Sequence, residues 1–127
     1  MHDKQVYEYA VIRLVPRVER EEFLNVGVIV FCKRKDFLAV KYHLDEARIH
    51  AFSEEIDLEE VAAYLNTWDL IAQGVPEGGK IAELDTANRF RWLTNTRSTI
   101  IQPSKAHVGR CEHPGGVLED LFQKYVV

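Results

Sequence analysis

Between residues 88 and 102 the chain reads Asn-Arg-Phe-Arg-Trp-Leu-Thr-Asn-Thr-Arg-Ser-Thr-Ile-Ile-Gln, a run dense in cations, hydroxyls and amides. Arginine pairs bidentately with phosphate or carboxylate. Thr94, Thr96, Ser98, Thr99 and Gln102 add donors with no opposing charge. Arg97 and Arg91 are therefore the first candidates for holding an anion, with Thr99 and Gln102 beside them and His107 in the loop that follows. Phe90 and Trp92 could stack on a ring, or equally fill a core. Three uses of this segment stay open: internal ion pairs with Glu54, Glu55, Glu59 and Glu60, an anionic small molecule or acidic peptide, and nucleic acid. With a pI of about 5.7 and five cations, nucleic acid is the weakest of the three.

Other groupings carry less chemistry. His107, Cys111 and His113 could ligate zinc, but a structural site needs four ligands and no Cys-x-x-Cys accompanies them, so neither metal nor cofactor is expected. Ser98, Thr99 and Cys111 are nucleophile types with His107 or His113 as a base, yet no known catalytic signature is present and no catalytic residue can be assigned. Gly78-Gly79-Lys80 lacks the spacing of a phosphate loop. A binding or partner module is the first reading. A small enzyme acting on a phosphorylated or carboxylate substrate, through Arg97, Ser98, Thr99 and His107, is the alternative.

The charge distribution frames these candidates. Net charge is -4, but residues 1–85 carry 10 Lys+Arg against 17 Asp+Glu. Residues 86–110 carry Arg89, Arg91, Arg97, Lys105 and Arg110 and no acid. An acid-free stretch inside an acidic chain marks where an anion would be received.

The elements that must position these groups read as α+β, in one domain over residues 1–127. Strands are expected over 6–15, 25–32, 37–43 and 98–102, with Arg13 the exception in a first strand otherwise apolar on both faces. Gly27 marks a bulge or a close backbone approach, and Asn25 two residues before it shares its face. Asp45 caps a short helix to about Phe52, and Asp57 opens a helix over 58–73 that ends near Gly74. A short helix is expected over 86–94 and a closing amphipathic helix over 117–126. Residues 104–116 read as a polar loop with room for a short strand near His107. The strands should form a mainly antiparallel sheet of four or five, with helices packed on one face.

Cys32 and Cys111 are too few and too far apart for a disulfide framework, which points to a reducing, cytoplasmic setting and two free thiols. No apolar run approaches the roughly 18–20 residues that cross a bilayer, and residues 1–5 lack the pattern of a secretory signal.

The strings Tyr9-Ala10-Val11-Ile12-Arg13-Leu14-Val15-Pro16 and Glu22-Phe23-Leu24-Asn25-Val26-Gly27-Val28-Ile29-Val30 resemble an uncharacterised bacterial family, domain of unknown function 3037. Arg91-Trp92-Leu93-Thr94, Arg97-Ser98-Thr99-Ile100-Ile101-Gln102 and His107-Val108-Gly109 resemble it too. The resemblance implies a small bacterial cytoplasmic protein and transfers no activity. It also implies a partner role beside a kinase-like protein encoded by a neighbouring gene.

Overall fold

A strand apolar on both faces belongs in the middle of a sheet, and β1 (Gln5–Leu14) takes that place. The computed structural model describes residues 3–127, so Met1 and His2 lie outside it. β1 pairs antiparallel with β2 (Leu24–Cys32), and β2 pairs with β3 (Phe37–Tyr42) through a tight hairpin. The other edge of β1 is shared by two short strands. β4 (Ile101–Pro103) runs against its C-terminal end and β5 (His107–Cys111) against its N-terminal half, both antiparallel.

The registers of β4 and β5 on β1 differ by one residue, so 101–111 behaves as one strand broken by an insertion at 104–106. Ser104 mends the break. Its backbone N–H donates to the Val11 carbonyl at 2.7 Å, and its hydroxyl accepts the Val11 N–H at 2.8 Å. A second irregularity lies on the opposite side of β1. Ile12 faces Gly27 and Arg13 faces Asn25, which leaves Val26 as the extra residue of a β-bulge. At Gly27 a Cβ would sit 2.8 Å from the Lys41 carbonyl and 2.9 Å from the Tyr42 Cβ, so β3 can approach only because that side chain is absent. Both structural readings of this glycine hold.

Side chains alternate across the sheet, and the two faces are covered differently. Ile12, Leu14, Ile29 and Phe31 face α1 (Glu46–Phe52), α2 (Leu58–Gln73) and α3 (Thr86–Leu93), which supply Ile49, Val61, Leu65, Trp68, Ile71, Phe90 and Leu93 to the main core. Asp45, Asp57 and Asp85 cap these helices by accepting backbone N–H groups, and Gly74 ends α2 at φ 71°. Val28 points the other way, onto Phe122 and Val126 at the end of α4 (Pro114–Tyr125). The α+β class and the antiparallel five-stranded sheet agree with the sequence reading. Packing on one face describes only α1, α2 and α3. Beyond the bulge, Val28 and Val30 of β2 leave a second face that needs cover, and α4 supplies it at Val28.

Two element boundaries also differ. Residues 98–100, expected to open the fourth strand, lie outside β4, because local bonds turn them: the Thr99 hydroxyl donates to the Ile101 carbonyl and the Gln102 amide to the Thr99 carbonyl. The closing helix begins at Pro114 rather than 117, with proline in the first turn, where its missing N–H costs nothing. No described helix is long and apolar enough to cross a membrane.

Candidate functional site

The five residues singled out from the sequence do not meet in one place. Arg97 is half-buried on the α2 side of the sheet. Its guanidinium lies 4.8 Å from the centroid of the Trp68 ring and 4.7 Å from that of Trp92, and it donates to the Trp92 carbonyl. Burial lowers its pKa. Its Nη1 is buried without a hydrogen-bond partner. Thr99 is held close by, accepting from the Tyr64 hydroxyl at 3.4 Å. Gln102 pairs across from Arg13 but turns its amide back to Thr99. Arg91 is exposed on α3. His107 starts β5, across from Tyr9, on the opposite face from the main core.

Internal pairing with the acidic helix is not what occupies these arginines. Among the described residues the ion pairs join Arg17 to Glu55, Arg20 to Glu22 and Lys41 to Glu119. Arg89 instead donates to the Ile71, Ala72 and Leu84 carbonyls and to Thr86 Oγ1, closing the C-terminal end of α2. Orphan carbonyls at a helix end are strong acceptors, and they compete well with flexible surface carboxylates. His107, Cys111 and His113 do not gather either: no group of three His, Cys, Asp or Glu side chains among the described residues could hold a metal ion.

Tertiary structure brings together a different set. Tyr9, Val11 and Arg13 alternate along one face of β1, and around them stand Asn25 of the bulged strand, Ser104 at the break, His107 of β5, Phe23 before β2 and Tyr125 of α4. They line a cleft of about 250 Å³ that contains no acidic side chain. Both sheet irregularities border it, as bulges commonly border sites where a side chain must be re-aimed. Asn25 donates its amide to the Tyr125 carbonyl at 3.2 Å, fixing α4 as one wall.

Arg13 dominates the electrostatics of this cleft. Its guanidinium carbon lies 4.1 Å from the Phe23 ring centroid, and its Nε is buried with no hydrogen-bond partner. No described carboxylate forms an ion pair with it. The Tyr9 ring lies 5.2 Å from His107 and 6.3 Å from Tyr125, stacked on the latter. Hydrogen bonding with Tyr125, reinforced by burial, pushes the Tyr9 phenol up to about 12, so it stays a neutral donor. A cation, neutral phenols, an amide and an imidazole around one small cavity suit the binding of an oxyanion with a compact apolar or planar body.

Of the residues chosen from sequence, only His107 lines this cleft. Arg13 and Asn25 had visible signals, an arginine in a doubly apolar strand and an asparagine before a bulge glycine. Tyr125 and Ser104 had none, because their position depends on where the chain returns 90 or more residues later.

The family described as protein of unknown function, DUF3037, matches residues 9–126. No curated protein and no solved structure matches the chain.

Proposed function

The chain belongs to the DUF3037 family of proteins of unknown function, and from this premise we propose that it is a binding module that receives an anionic ligand in the Arg13–His107 cleft. The observation that carries this reading is Arg13. A guanidinium with a buried, unpartnered Nε and no carboxylate beside it leaves desolvation uncompensated. A carboxylate or phosphate would satisfy it bidentately. The acid-free 86–110 segment contributes His107 to the cleft, whose lining holds no acid, which favours approach of negative charge. An acidic group on a protein partner, such as the kinase-like neighbour the resemblance implies, would supply the same chemistry as a small molecule. The enzymatic alternative has weaker support, because Thr99 and His107 lie on opposite faces of the sheet.

The test is a titration of the isotope-labelled protein with inorganic phosphate and with succinate, followed by NMR. Shifts should centre on Tyr9, Arg13, Asn25, Ser104 and His107, and vanish in Arg13→Gln. Shifts centred on Arg91 and Arg97 that survive in Arg13→Gln would move the site back to the segment first marked by charge.

A further inference from the structure

The two edges of the sheet are finished in different ways. β3 is flanked by α2 on one face and by α4 on the other, and its side chains are all half-buried. Among the described residues β5 has β1 as its only strand partner, and no described helix packs closely on it. On one face the Tyr7 ring covers it, so closely that a Cβ on Gly109 would lie 2.5 Å from that ring. On the other face Val108 is 70% exposed, and Val6, diagonal to it on β1, is 54% exposed. Every other backbone N–H and C=O of a strand points away from its neighbour, so β5 presents an open ladder flanked by apolar side chains.

We propose that the β5 edge is a docking site for an extended acidic peptide segment of a protein partner, which adds to the sheet as a further antiparallel or parallel strand. Charge selects the occupant. Lys105 and Arg110 are exposed along this edge with His107 between them, and Glu8, across from Val108, is the acid on the neighbouring strand. With Arg89 and Arg97 held internally, Lys105, Arg110 and Arg91 are the cations of the acid-free segment that stay exposed. Backbone pairing would provide affinity, and acidic side chains facing Lys105 and Arg110 would provide selectivity. A second copy of the chain fits less well. Antiparallel self-pairing about Gly109 would bring two Arg110 side chains to the same face in diagonal positions, where like charges repel. The edge shares His107 with the Arg13 cleft but none of the cleft's other residues, and each proposal can fail without the other.

The probe is an alternating Glu-Val peptide of about eight residues, a common strand length, with its Lys-Val counterpart as control. Added to the wild-type protein, the Glu-Val peptide should slow amide exchange within residues 107–111. The double variant Lys105→Glu/Arg110→Glu, both surface positions, should bind it at least about tenfold more weakly, a difference of about 1.4 kcal/mol, and should prefer the Lys-Val peptide. Equal binding by wild type and double variant, protection outside β5, or no binding would overturn the proposal. So would β5 protection that appears with protein concentration in the absence of peptide, since it would show that the edge pairs with itself.

Discussion

Arg97 and Arg13 show how one residue type takes two roles. Arg97 lies between two indole rings and donates to a backbone carbonyl, an arrangement that uses its planarity as much as its charge. Arg97→Ala should lower stability by about 1–2 kcal/mol, with Arg97→Lys recovering only part, as read from urea unfolding. An Arg97→Ala protein of unchanged stability would show that the stacking contributes nothing. Arg13 has one ring beside it and an open cleft in front. Tyr9 adds a pH signature. Its folded pKa, about 12, lies above the ordinary 10.0, so its contribution to stability is complete below pH 10 and is lost as pH rises through 12. Ultraviolet titration of tyrosinate should show a late-ionising component, to which Tyr7, also raised by burial, contributes, and Tyr9→Phe should diminish it and flatten the stability loss in that window.

At the scale of elements, the site depends on two interruptions in the ladders flanking β1. Ser104 replaces a missing backbone partner with its hydroxyl, and it is buried at 4% exposure. Ser104→Ala leaves the Val11 N–H without an acceptor and should cost about 1–3 kcal/mol. Ser104→Gly should cost no less, whereas Ser104→Thr keeps the acceptor; thermal unfolding of the three variants separates hydroxyl loss from backbone effects. On the other side, Gly27→Ala drives a methyl into the Lys41 carbonyl and should cost about 1–3 kcal/mol through overpacking. Its effect should spread to the cleft, seen as altered Asn25 and Tyr125 resonances, because the bulge sets where Asn25 points. A Gly27→Ala protein with native stability would mean that β3 can withdraw without penalty.

Over the whole molecule, burial grades from the sheet centre outward. β1 and β2 supply many of the fully buried residues, while β5 is largely exposed. Native-state amide exchange should therefore be slowest in β1 and β2 and fastest among the strands in β5. Comparable protection in β5 would indicate that something covers it in solution. Cys32 and Cys111 are both buried and unbonded, and burial raises the Cys111 thiol. A thiol reagent should thus react slowly with the native protein and count two thiols after denaturation without reductant; a count of zero would contradict the unbonded state.

Local physics was sufficient for the elements with strong internal patterns. The Asp57 cap, the stripe Val61, Leu65, Trp68 and Ile71, and the stop at Gly74 define α2 from neighbours in sequence alone. The β-branched runs define β1, β2 and β3 in the same way, and the acid-free segment is a property of composition. The cleft is of a different kind. Its walls come from residues 9–25, from 104–107 and from Tyr125, and no periodicity links them. The charged segment is continuous in sequence, yet packing divides it: Arg89 to a helix end, Arg97 between tryptophans, Lys105 and Arg110 to an open edge. An arginine's donors can be met by carbonyls and rings as well as by anions, so its role depends on which acceptors the fold brings within reach, and that is decided by long-range contacts that single-sequence patterns do not encode.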